Sequence, residues 1–159
     1  MEQKKLSKWL KGILIGTAAC GLAVYLALLP DYGRSLAQAY PEFAGRFWPW
    51  LIFLWATGVP CYLALGLGWR IAGRIGEDRS FSEGNARDLS RIAWLAAGDA
   101  GAFFLGNAIL LLADMSHPGV VLMSLIVVFV GVAIAVAAAA LSHLVHKAAA
   151  LQEQADLTI

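Results

Sequence analysis

Four long apolar stretches, separated by short charged clusters, constrain this chain more than any other feature. An α-helix rises about 1.5 Å per residue and a bilayer's hydrocarbon core is about 30 Å thick, so about 20 mostly apolar residues make one span. The stretches run from Trp9 to Leu29, from Phe47 to Trp69, from about Ile92 to Ala113 and from about Val120 to Leu141. Pro30 with Asp31, Arg70 and Asp114 read as the stops of the first three, and the helical pattern of the fourth continues to about Gln154. Only 14% of the 159 residues are charged, against about 25% in a soluble domain, and the runs lack the polar faces that a soluble core needs. The expected architecture is all-α: one membrane domain folded as an integral four-helix bundle. The first run exceeds the ~7–15-residue apolar core of a signal peptide and has no A-x-A-type site, so it reads as a retained first span.

Orientation follows from the flanks. Ten of the twelve Lys and Arg residues fall in the N-terminus (Lys4, Lys5, Lys8, Lys11), the link between spans two and three (Arg70, Arg74, Arg79, Arg87, Arg91) and the tail (Lys147). The other side carries Arg34 and Arg46. Positive residues concentrate on the cytoplasmic side, so both termini and the long link are expected in the cytoplasm. Trp9, Trp48, Trp50, Trp69 and Trp94 fall near the span ends, where amphipathic rings match headgroup depth. A short interfacial helix is expected from Gly33 to Tyr40. The link DMSHPG is short enough to make spans three and four antiparallel neighbours.

Asp99 is the prominent polar residue of the spans, about 10 Å below the cytoplasmic edge of span three by helical rise. A carboxylate there costs a few kcal/mol unless paired, protonated or wetted, and no Lys or Arg lies deep within a span to pair with it, Lys11 standing at the inner end of span one. Asn107, eight residues on, reads as close to the same face, among Gly98, Gly101, Ala102 and Gly106, which let a helix approach. Two readings stand side by side: a proton- or cation-linked site, as in a small transporter or channel, and a neutral carboxyl bonded to a neighbouring Thr, Tyr or carbonyl to fix packing. Gly12-xxx-Gly16 and Thr17-xxx-Gly21 in span one permit close packing, within the unit or in a homodimer. Thr57, Gly58 and Pro60 predict a kink in span two. Cys20 and Cys61 read as small packing residues.

His143 and His146 lie one turn apart at the cytoplasmic end of span four, and His117 lies in the outer loop. They cannot face one another across helices as haem ligands would, and headgroup contact is the better reading. There is no hydrolase triad, phosphate loop or zinc-protease helix, so neither enzymatic activity, a cofactor nor a metal is expected.

The cytoplasmic link reads GRIGEDRSFSEGNARDLSRIAWL. Ser80 with Glu83, or Ser82 alone, predicts a helix cap, with Phe81 as a hydrophobic staple. Ala86, Leu89, Ile92 and Ala93 then recur at helical spacing. The tail KAAALQEQADLTI reads as the emergent end of span four followed by an extended Leu-Thr-Ile terminus that docks on the protein or on a partner.

Phe81, Ser82, Asn85, Leu89 and Ile92 resemble the FS-x-x-N-x-x-x-L-x-x-I signature of the YoaS-like family, small bacterial four-span membrane proteins of unknown function. Leu151-Gln152-Glu153-Gln154-Ala155-Asp156-Leu157-Thr158-Ile159 resembles that family's LQEENDLTI ending, departing from it at Gln154 and Ala155. The resemblance implies a place in the bacterial cytoplasmic (inner) membrane, and the family has no established enzymatic activity. It implies a membrane sensor or regulatory partner of a small cytoplasmic helix-turn-helix protein, with no direct nucleic-acid binding by this chain. Phe81, Ser82, Asn85 and Leu89 with Asp156, Leu157, Thr158 and Ile159 are then the candidate partner site. The plain structural alternative is that Phe81, Ser82 and Asn85 cap span three and the tail packs against that cap.

Overall fold

The computed structural model describes residues 2–158. They form five α-helices and, among the described residues, no strand: α1 (Gln3–Ala23), α2 (Leu29–Ala39), α3 (Phe47–Gly76), α4 (Glu83–Leu112) and α5 (Pro118–Leu157). A π turn, Val24–Leu28, joins α1 to α2 without a break, and a 3-10 turn, Pro41–Arg46, leads into α3. Four continuous helical stretches, Gln3–Ala39, Pro41–Gly76, Glu83–Leu112 and Pro118–Leu157, are long and apolar enough to cross a membrane.

Pro30 does not stop the first helix, contrary to the reading above. In a regular helix its ring would clash with the carbonyl one turn back and a backbone bond would be lost. The π turn absorbs both effects: the register widens to i→i−5, with the Leu29 N–H donating to the Val24 carbonyl. In that register the Tyr25 carbonyl would look to Pro30, which has no N–H, and the indole N–H of Trp55 donates to it instead at 2.8 Å. The expected separate helix at Gly33 is therefore the end of α2, continuous with α1.

Arg70 does not end its helix either. α3 runs on to Gly76 and closes in a Schellman motif, where the Asp78 N–H donates to Ile75 and the Arg79 N–H to Arg74. Asp78 sits there at φ 60°. The end of α4 repeats the device with Asp114 at φ 52° and the Met115 N–H donating to Leu110. A short aspartate tolerates this left-handed geometry better than a bulky residue does, which is why both links turn sharply after long apolar helices.

The long helices pack in chain order: α1 on α3, α3 on α4 and α4 on α5. Among the described residues no helix pair outside this sequence comes close, apart from contacts of α2 and the two short turns with their own neighbours. The α4–α5 pair has a seven-residue seam. Ala86, Ala93, Ala100 and Asn107 are buried on α4, and Ser124, Ala138 and Val145 on α5, with Gly131 completing the second series. Seven residues fall only about 20° short of two full turns, so such a series stays on one face. The helices are antiparallel along it. A Cβ at Gly131 would stand 3.0 Å from the Ala100 methyl, and the Ser142 hydroxyl donates to the Ala86 carbonyl at 2.6 Å.

The α1–α3 contact uses larger groups. The Tyr62 hydroxyl donates to the Ala18 carbonyl at 2.7 Å in the space left by Gly21. The Ser7 hydroxyl donates to the Ala72 carbonyl at 2.6 Å. Gly12 and Gly16, by contrast, face open space, so the first small-residue pair of span one takes no part in packing within the chain.

Candidate functional site

The N-terminus, the α3–α4 link and the late part of α5 meet at one end of the molecule. Lys11 lies over the Trp69 ring at 5.1 Å, Ser80 Oγ lies 3.5 Å from Gln3 Oε1, and His146 Nδ1 lies 2.6 Å from Glu83 Oε1.

Asp88 is the centre of this end. It is one turn inside α4 and only 1% exposed. Arg74 Nη1 donates to its Oδ2 at 2.7 Å, Arg70 Nε approaches the same oxygen at 3.4 Å, and Arg91 Nη1 reaches Oδ1 at 3.3 Å. Arg70 and Arg74 come from the last turns of α3, four residues apart and hence on one face; Arg91 comes from the turn after Asp88 on α4. One buried carboxylate thus ties two long helices together at the point where they emerge from the apolar region.

Asn85 completes the tie. Its Oδ1 accepts from Arg74 Nη1 at 3.2 Å, and its Nδ2 donates to the carbonyls of Ser80 at 3.0 Å and Arg79 at 3.3 Å. Its backbone N–H donates to Ser82 Oγ at 3.2 Å, the cap of α4. Ser82, not Ser80, is therefore the cap. Gly84 gives this cluster room, since a Cβ there would meet the Arg74 guanidinium at 3.1 Å. Outside the cluster, Arg79 bonds Glu77 and holds its carboxyl below the usual carboxylate range.

The other signature residues stand apart. Phe81 is 59% exposed and Leu89 is half-buried. The tail differs from its expected form: α5 continues through Leu157, so the terminus is helical where an extended segment was expected. The Thr158 hydroxyl donates to the Gln154 carbonyl at 2.7 Å. Every described residue from Ala150 to Thr158, Asp156 and Leu157 included, is exposed, and none packs on the cap. The reason is length. Ser142 is level with Ala86, so Asp156 projects about 21 Å further along the axis. Ile159 lies outside the described residues.

Asp99 and Asn107 are not brought together. Asp99, half-buried, faces α3, where Cys61 Sγ donates to its Oδ2 at 3.6 Å. Its partner is thus a thiol where a Thr, Tyr or carbonyl was expected. Cys61 Sγ also lies 3.6 Å from the Thr57 carbonyl. Asn107 lies in the α4–α5 seam and donates to the Phe103 carbonyl of its own helix at 2.8 Å. Eight residues overshoot two turns by about 80°, enough to turn the two side chains to different neighbours. Gly98 and Gly101 face open space, while Gly106 is packed against the Phe53 ring.

At the opposite end, His117 caps α5, its Nδ1 accepting from the Gly119 N–H at 3.0 Å. A cavity of about 490 Å³ lies there between Tyr32, Phe43, Arg46, Trp50, His117 and Met123. Among the described residues no group of three His, Cys, Asp or Glu side chains is placed to hold a metal ion.

Four long apolar helices, tied by polar groups at their ends, define a multi-pass α-helical membrane protein. The chain belongs to the family described as "Protein of unknown function (DUF2975)", which matches residues 32–159. It is similar to the uncharacterized membrane protein YoaS of Bacillus subtilis (strain 168), with 28% identity over 149 residues that cover 92% of each chain. No solved structure matches it.

Proposed function

We propose that this chain is a non-enzymatic protein of the bacterial inner membrane that holds a soluble partner at its arginine-rich end, and that this end, with both termini, faces the cytoplasm. The orientation rests on the ten-to-two distribution of Lys and Arg and on the tendency of such residues to remain on the cytoplasmic side. The observation that carries the partner is the free end of α5. Val145 is its last buried residue, yet the helix continues to Leu157 with Leu151 and Leu157 exposed beyond the bundle. A helix held out from its own fold, with apolar residues on it, suits a peptide-in-groove contact with another protein. The family resemblance points to a small helix-turn-helix regulator as that protein, which makes the chain a membrane sensor or anchor for it.

The test is affinity purification of the full chain from its native membrane, with identification of bound proteins, beside a chain ending at Ala150. The reading expects one small DNA-binding protein captured by the full chain and lost from the truncated one. Equal capture by both removes the α5 end from the contact. Capture of none by the full chain removes the reading.

The alternative, a small transporter or channel using Asp99, has less support. Its polar partner is a single thiol, and among the described residues no ion pair forms at Asp99. Proton- or cation-coupled flux in proteoliposomes that disappears in Asp99→Asn would favour it.

A further inference from the structure

The three arginines around Asp88 leave a positive surplus that the chain itself does not use. One carboxylate faces three guanidiniums, so the cluster carries two excess charges. Arg74 is largely buried and bonded to both Asn85 and Asp88. Arg70 and Arg91 are half-exposed and turn only Nε and Nη1, respectively, toward Asp88. A guanidinium has five N–H donors, so most of each fork remains available outside.

These two forks stand at the mouth of an open groove between α3 and α4. The groove has a volume of about 720 Å³, with Leu63, Gly66 and Leu95 along it and Trp94 at its rim. From Arg70 to Leu63 it descends about 10 Å by helical rise. Trp94 is 78% exposed, as suits a ring at headgroup depth. Charge at the rim and apolar walls below match one chemistry, a negatively charged headgroup with an attached acyl chain.

We propose that this groove binds an anionic phospholipid, its phosphate held by Arg70 and Arg91 and one acyl chain laid along Gly66 toward Leu63. Asp88 acts as the positioning residue. It holds both guanidiniums in place, and its own charge is already satisfied by Arg74. The proposal is independent of any protein partner.

The test is native mass spectrometry of the full chain in neutral detergent with an equal mixture of phosphatidylglycerol and phosphatidylcholine of matched chains. The wild type retains phosphatidylglycerol over phosphatidylcholine by about tenfold. The Arg70→Gln/Arg91→Gln variant loses that preference. Gly66→Leu keeps both arginines and fills the groove. A side chain has room there, since nothing lies within 4 Å of its first carbon, and this variant loses the retained lipid. Gly16→Leu, equally open but on α1, which does not border the groove, binds as the wild type does. Should the arginine variant fail to fold, as judged by circular dichroism, Gly66→Leu decides alone. No preference in the wild type overturns the proposal. So does lipid retention by Gly66→Leu, or displacement of the lipid by millimolar inorganic phosphate, which would mark a free-anion site instead.

Discussion

The indole N–H of Trp55 stands in for the N–H that Pro30 lacks, donating at 2.8 Å to the carbonyl of Tyr25. An unpaired carbonyl inside a bilayer costs several kcal/mol, so this bond links the π turn of the first span to the second. Trp55→Phe keeps the ring and removes the donor. It is expected to destabilise the protein by about 1–3 kcal/mol, read as a lower melting temperature in detergent. Pro30→Ala restores a backbone donor, and in its presence the cost of Trp55→Phe should shrink. Equal costs in the two backgrounds would break the assigned link.

Asp88 is the most consequential charge. Removing one partner of a buried ion pair costs about 3–5 kcal/mol because the other charge is left uncompensated. Asp88→Asn should therefore lower stability by about that amount. Arg87→Gln, an exposed neighbour, should stay within about 0.5 kcal/mol. Chemical denaturation in mixed micelles separates the two outcomes.

The α4–α5 seam has no room for volume. Gly131→Leu drives a side chain into Ala100 and should cost about 1–3 kcal/mol, the range of overpacked cores. Gly98→Ala points into open space and should be neutral or slightly stabilising through helix propensity. Parallel melting curves of the two variants test the seam directly.

Phe81 contributes nothing visible to the α4 cap, whose bonds come from Ser82 and Asn85. Phe81→Ala should leave stability within about 0.5 kcal/mol of the wild type, whereas Asn85→Ala should lose about 1–3 kcal/mol with its buried hydrogen bonds. If Phe81→Ala also weakens capture of a cytoplasmic protein, its exposure serves binding.

Asp114 closes α4 at positive φ. Asp114→Gly relieves that geometry and should be neutral or stabilise by up to about 1 kcal/mol, while Asp114→Val should destabilise by more. Thermal scans of the pair check the Schellman assignment.

The membrane class and a cap at the start of the third span could be read from the residues, because apolar length and a serine ahead of a helical pattern are local signals, although the choice between Ser80 and Ser82 needed the fold. Asp88 could not. In sequence it is one charge among Arg87, Asp88 and Arg91, and only the fold brings Arg70 and Arg74 to it from the preceding helix. The seam was present as a seven-residue recurrence of Ala86, Ala93, Ala100 and Asn107, but an alanine among many apolar residues carries little contrast. Asn107 consequently read as a companion of Asp99 when it belongs to the other face. Pro30 read as a stop because the donor that compensates for it, Trp55, lies on the next span, thirty residues from the Tyr25 carbonyl it satisfies.

The packing of each long helix on its predecessor bears on how the molecule is made. A span leaving the translocation machinery finds its neighbour already in the bilayer and need not wait for a later one. Contacts between consecutive helices keep sequence separations small, the condition under which chains fold quickly. The Asp88 clasp needs only the second and third spans, so it does not depend on the packing of the fourth. A chain truncated after the third span should already carry the α3–α4 tie, leaving only the alanine seam for α5 to complete.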